Sequence, residues 1–316
     1  MKILCVGEML ADILVTSAPK IIYDNNCSTV GEILVKPGGD AFNNAIDFSR
    51  LGHHVSYVGK LSSDAMGQFL LQEGLREGID MSHVIPSDLP QTKMTILINA
   101  AGDRHFLYYP GTGADLRFED IDLSLLQGCD LLQVSSTFHM PAFDGEGTAR
   151  LFQAAHQAKV LTSMDITKDF SNRWNEIIAP CYPYLDYFLP SIEQAALVAG
   201  SKDEKEIASF FLARGVKHVL VKLGSRGCYY QDTYKAFYCD CYQVAVKETT
   251  GAGDAFVAGF MTAILDGKKP EEAALFGTAC SAHVIQAVGA TSGMPNRSAL
   301  ESFLACHARP AISYVK

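Results

Sequence analysis

The segment Thr249-Thr250-Gly251-Ala252-Gly253-Asp254-Ala255-Phe256 combines what the movement of a phosphoryl group onto a hydroxyl requires. Its small residues let backbone N–H groups approach an anion closely. The apolar run from Ala255 to Met261 predicts a helix whose amino end holds negative charge through free N–H groups and the helix dipole. Asp254 falls in the first turn of that helix, where its carboxylate can take the proton of a substrate hydroxyl. Phosphoryl transfer asks for little more than positioned groups, donors for the spreading charge and an orienting base. On spacing alone, the same residues also describe a helix start capped by Asp. Two other phosphate-binding patterns are excluded. Phe256 occupies the place of the third glycine of a dinucleotide loop, and no G-x-x-x-x-G-K-[ST] run occurs.

The elements that must position this loop are legible as an alternation. Short apolar runs at Asp130–Ser135, Val160–Asp165, Tyr187–Pro190 and His218–Lys222 read as buried strands. Between them, 147–158 and 202–214 carry apolar residues at helical spacing. Such alternation predicts a parallel sheet covered on both faces, with ligands gathered beyond the carboxyl ends of the strands. Asp12, Ser135, Asp165, Ser191 and Lys222 all follow strands directly. Two regions break the rhythm, at about 13–37 and 92–110, and read as exposed antiparallel strands. In the second, 92–99 and 104–109 flank the turn Ala100-Ala101-Gly102-Asp103. No repeat or low-complexity linker divides the 316 residues, so one domain spanning 1–316 is expected.

Composition narrows the function classes. With 48% hydrophobic residues the chain can bury a large core, and a formal charge of −9 without a basic run argues against nucleic-acid binding. No apolar stretch of about 18 residues predicts a membrane span. The opening Met1–Glu8 meets an acid too early for a signal peptide and reads as a first buried strand, so a cytoplasmic location is expected. Nine scattered cysteines do not form a disulfide framework, and neither Cys239-Asp240-Cys241 nor the nine histidines complete a metal-ligand pattern.

Thr249–Asp254 resembles the C-terminal signature of the ribokinase-like (PfkB-type) carbohydrate kinases. Gly38-Gly39-Asp40-Ala41-Phe42-Asn43-Asn44-Ala45 is similar to their N-terminal signature. Gly7–Asp12 and Val58–Gly67 resemble the family's opening strand and its G-K-x-x-x-D-x-x-G stretch, so the likeness runs from residue 2 to about 300. The resemblance implies a Rossmann-like, mostly parallel α/β sheet with helices on both faces and a small antiparallel β lid. It implies transfer of the ATP γ-phosphate to a sugar hydroxyl, with Mg²⁺. Asp254 then matches the catalytic base, and Gly251, Ala252 and Gly253 the anion hole. Asp12, Gly38, Gly39 and Asn43 fall where the family binds substrate hydroxyls. Lys222, Gly224 and Gly227 match its nucleotide loop, and Ala279 and His283 its adenine pocket. Ser191-Ile192-Glu193-Gln194 stands for an N-x-x-E element: Glu193 keeps the Mg²⁺ role through water, and Ser191 replaces the Asn that contacts phosphate. Glu248 replaces an Asp of the loop that holds a monovalent cation in several members, which leaves a K⁺ requirement open.

Gly102-Asp103-Arg104-His105-Phe106 with Tyr108-Tyr109 resembles the lid hairpin of fructokinases and 2-keto-3-deoxygluconate kinases, and Tyr109 is expected to face the sugar. Pro110 stands where those enzymes commonly carry an Arg, which favours a neutral sugar over an acidic one. His139, just after the strand at Val134-Ser135, is a further pocket candidate. The expectation is a fructokinase-like sugar kinase. The alternatives are a 2-keto-3-deoxygluconate kinase, a nucleoside kinase or, from another class, a non-catalytic sugar-binding regulator. Exposed lid strands have edges that pair, so a homodimer clasped through the lid is expected.

Overall fold

A computed structural model describes residues 1–19 and 27–315. Strand Lys2–Val6 shows how the body is built. Ile3 and Cys5 enter one hydrophobic cluster and Leu4 and Val6 the other, and all four are buried. A strand apolar on both sides needs cover on both, the condition of a parallel sheet between helix layers. Helices Asp40–Arg50, Ala252–Leu265 and Pro270–Val284 cover the Ile3 side. Helices Glu146–Gln157 and Glu204–Leu212 cover the other.

The main sheet runs, in order, His54–Val58, Lys2–Val6, Leu131–Thr137, Leu161–Ile166, Tyr187–Phe188, His218–Lys222, Cys228–Gln231, Ala236–Cys239 and Ile312–Tyr314. The first six are parallel and the remaining pairs antiparallel. This is the expected α/β body, and the buried runs of the sequence all appear in it. The order reverses at Lys2–Val6, so a crevice opens beyond its carboxyl end and that of Leu131–Thr137, where α/β sheets bind ligands. At the end of the second strand and just past it the backbone enters the left-handed region at Ser136 (φ 63°) and Phe138 (φ 86°), and Ser136 and His139 line the crevice wall. Non-glycine residues held there mark functional surfaces more often than framework.

Over the crevice sits a four-stranded sheet of Ile33–Gly38, Leu10–Val15, Lys93–Ile98 and Arg104–Tyr109. It is the small sheet expected from 13–37 and 92–110, apart from 20–26, which lie outside the described residues. Its two outer pairs are antiparallel, but the central pair, Leu10–Val15 with Lys93–Ile98, is parallel. The second hairpin returns only after the chain has passed through helix Asp40–Arg50 and part of the main sheet, and it joins the first from the same end. The turn before Arg104 is locked by Asn99, whose Oδ1 accepts the Ala101 and Asp103 N–H groups at 2.9 Å each and whose Nδ2 reaches Asp103 at 3.0 Å.

Candidate active site

Asn43 and Asp254, 211 residues apart in the chain, meet at the centre of the crevice. The Asn43 side chain donates from Nδ2 to Asp254 Oδ2 at 2.8 Å. Asn44, next along the same helix, donates to the Asp254 carbonyl at 3.0 Å, and its own Oδ1 accepts the Ser135 hydroxyl at 2.7 Å. These contacts fix the first turn of helix Ala252–Leu265 against helix Asp40–Arg50. Asp254 is buried, and that burial, with the nearby charge of Asp40 as the next cause, holds its carboxyl well above the ordinary range. The Asn43 N–H and Lys222 pull the other way. Asn43 Oδ1 is buried without a protein partner, an acceptor left over for a ligand hydroxyl.

Two cavities meet at Asp254. One, of about 520 Å³, is lined among others by Glu193, Lys222, Gly224, Gly227, Thr278 and Ala282. The other, of about 790 Å³, lies under the small sheet against Asp12, Gly39, Asn43, Arg104, Tyr108 and His139. Asp40, Gly251 and Asp254 border both. A group bound in the first cavity and a hydroxyl bound in the second therefore face each other across the amino end of a helix.

That end is shaped for an anion. Gly251 has φ 77°, and a Cβ there would lie 2.0 Å from the Ala290 carbonyl oxygen, so only glycine fits. The Ala252 N–H leans back on the Thr249 carbonyl at 3.3 Å, and the first-turn amides that follow have no acceptor within a helix. A Cβ on Gly253 would stand 3.2 Å from Lys222 Nζ, which puts a cation beside the same turn. Lys222 is itself ion-paired with buried Asp165. Gly39 (φ 93°) brings the other helix start hard against the Glu8 carbonyl, 2.6 Å from where a Cβ would be.

Several residues stand elsewhere than the sequence suggested. Tyr109 points away from the cavity, 47% exposed, with Lys93 over its ring at 5.5 Å. Its neighbour Tyr108 faces inward instead, because the strand alternates and Met94, the partner of Tyr108, lies on the cavity side. Ala279 is fully buried in the core, and His283 packs on Phe303 with ring centroids 4.7 Å apart. The face of helix Pro270–Val284 that does line the cavity carries Thr278, Ser281 and Ala282. Gly38 does not border the cavity; its missing side chain makes room for the Asp12 carboxylate, whose Oδ2 would be 2.3 Å from a Cβ. The Ser191 hydroxyl, at the cavity edge, is already donated to Gln194 Oε1.

Sequence reasoning missed Glu8. Its buried carboxylate accepts the Tyr108 hydroxyl at 2.6 Å and sits 3.2 Å from His139 Nδ1. The His139 ring stacks on Tyr108 (4.4 Å) and Phe170 (5.4 Å), which gives the sugar-side cavity an aromatic wall drawn from three chain segments. Its contact with Glu8 raises the His139 pKa against the effect of burial. An acid placed directly after a buried strand was the available signal. Asp40 was read only as part of a signature, although it borders both cavities, and burial pushes its pKa up to about 6.

A mostly parallel sheet, a small sheet over its crevice and two cavities joined at a helix amino end define a ribokinase-like small-molecule kinase. The model of the pfkB family carbohydrate kinases matches residues 1–297, and the chain belongs to that family. It is 28% identical over 281 residues to the 2-dehydro-3-deoxygluconokinase of Bacillus subtilis, covering 84% of this chain and 86% of that one. It is also 28% identical over 316 residues to Fructokinase-1 of Oryza sativa, covering 92% and 93%. Among solved structures, Arabidopsis thaliana ribokinase complexed with ribose and ATP superposes with a TM-score of 0.84 at 23% identity, covering 97% of this chain and 99% of that one.

Proposed function

We propose that this carbohydrate kinase transfers the γ-phosphate of ATP to a hydroxyl of a neutral sugar of the ketohexose class, as a fructokinase does. The observation that carries the reading is the meeting of the two cavities at Asp254. The nucleotide occupies the cavity of Lys222, Gly224 and Gly227, and its terminal phosphate rests on the amides of Gly251–Gly253 beside Lys222. The sugar lies under the small sheet, its hydroxyls taken by Asp12, Asn43 and the bare backbone at Gly39. Asp254 removes the proton of the attacking hydroxyl, and Asn43 holds that carboxylate in place.

Mg²⁺ fits this site through water. Among the described residues no cluster of three or more His, Cys, Asp or Glu forms a cage, and Asp165 is taken by Lys222. Glu193 borders the nucleotide cavity with its carboxylate unpaired among the described residues, and Mg²⁺ commonly takes one or two carboxylates plus waters and substrate phosphates. When bound it neutralises charge on the transferred phosphate. A K⁺ requirement finds no free carboxylate at Glu248, whose oxygens accept the Thr250 hydroxyl at 2.6 Å and the Gly289 N–H at 2.7 Å.

An acidic sugar is a second reading, favoured by Arg104 and Lys168 on the sugar cavity. An ADP-release screen over fructose, tagatose, ribose, 2-keto-3-deoxygluconate and nucleosides separates these. Turnover of fructose or tagatose is expected. Turnover confined to the sugar acid selects the second reading, and turnover of nucleosides alone overturns both. The whole chain acts as one catalytic unit. It pairs with a second copy through the outer face of the small sheet, where Ile33, Leu107 and Tyr109 are exposed, and sedimentation of the purified protein checks this as a dimer or a monomer.

A further inference from the structure

The small sheet touches the anion-binding loop through one side chain that the proposed mechanism leaves unused. Arg104 donates from one terminal nitrogen to Thr250 Oγ1 at 2.7 Å and from the other to Thr249 Oγ1 at 3.0 Å. The Thr250 hydroxyl in turn donates to Glu248 Oε1 at 2.6 Å, and Glu248 Oε2 accepts the Gly289 N–H at 2.7 Å. Residue 289 adjoins Ala290, whose carbonyl is the surface against which Gly251 is moulded. An unbroken chain of contacts thus runs from the small sheet to the backbone that binds the anion.

The arm that carries Arg104 is stiff. It is the first residue after the turn that Asn99 locks, and its guanidinium lies 5.8 Å from the Phe106 ring. The same sheet carries Asp12 and Tyr108 to the sugar cavity. We propose that Arg104 is a positioning residue: seating the small sheet over a sugar sets the Thr249–Gly251 loop, and so the anion hole, in its working shape. The proposal rests on the kinase reading of this site. The planar guanidinium fork suits the task because it grips two hydroxyls at a fixed spacing, which an ammonium does less well.

The test compares Arg104→Met, Arg104→Lys, Thr250→Val and the double variant Arg104→Met/Thr250→Val with the parent. Arg104 is exposed, so its variants should fold. With an accepted sugar, Arg104→Met should lower kcat about tenfold with sugar and ATP KM within about threefold, a size that coupled neighbours show. Arg104→Lys should recover part of the loss, and the double variant should be no slower than the worse single one. A raised sugar KM at unchanged kcat would make Arg104 a substrate contact and overturn the proposal, as would strictly multiplicative losses. Hydrogen exchange of the ligand-free protein gives a reading independent of any substrate. Faster exchange across 248–254 in Arg104→Met supports the link, and unchanged exchange there overturns it. Absence of sugar turnover in the parent would instead count against the kinase reading, with the exchange result still deciding on Arg104.

Discussion

Gly251→Ala perturbs the anion hole with a single methyl group. The added Cβ would start 2.0 Å from the Ala290 carbonyl oxygen, at a φ of 77° that side chains disfavour. Ordinary contact begins beyond about 3 Å, so loop and neighbour must separate by about 1 Å. The left-handed conformation itself costs about 1–2 kcal/mol for a residue with a Cβ. A displacement of that size near reacting groups costs about 10²-fold in rate, and the loss of one oxyanion donor costs about 10²–10³-fold. The expected result is therefore a fall in kcat of about 10²–10³ with a drop in Tm of a few degrees. Coupled ADP-release kinetics and a thermal melt on the same preparation measure both. A variant with parental kcat and a lowered Tm would refute the reasoning, because the strain would then be absorbed away from the anion hole.

Two further outcomes follow from the same geometry. Because burial and Asp40 both raise the Asp254 pKa, activity should climb with pH as Asp254 loses its proton, with an acid limb above the usual carboxylate range. Asp40→Asn removes one like charge, so the acid limb of the kcat/KM profile should move down by about half a unit to one unit; an upward shift or none contradicts this coupling. Tyr108→Phe takes a donor from buried Glu8, and hydrogen bonds to charged groups are worth about 1.5–3 kcal/mol. Sugar KM should rise about tenfold or more while ATP KM stays put, and steady-state kinetics with each substrate varied in turn will show whether the effect is confined to the sugar.

The chemistry of the site was legible where residue type and spacing suffice. Gly38–Ala45 and Thr249–Asp254 each announce a helix start, and their meeting as Asn43 with Asp254 needs only that the two starts share a crevice. The strand alternation likewise foretold the parallel sheet, since a strand such as Lys2–Val6 is apolar on both faces. What was not legible is which face of an element turns inward when both faces look alike. In Phe106-Leu107-Tyr108-Tyr109 one parity presents Phe106 with Tyr108 and the other Leu107 with Tyr109, each an apolar pair that includes a tyrosine, and only pairing with Lys93–Ile98 selects Tyr108 over Tyr109. Helix Pro270–Val284 is small and apolar on most sides, so Ala279 and His283 could not be told from Thr278 and Ala282 by pattern. Relays such as Arg104–Thr250–Glu248 join residues about 146 positions apart and leave no local signal at all.

The central claim is that Asp254 takes the proton of the sugar hydroxyl while the neighbouring amides hold the phosphate. Asp254→Asn tests it most directly, because the amide keeps the shape and can still accept from Asn43 through its oxygen. With ATP and an accepted sugar, kcat should fall by at least about 100-fold, the range for loss of a positioned base, while ATP affinity measured by calorimetry stays nearly unchanged. Turnover equal to the parent would contradict the account.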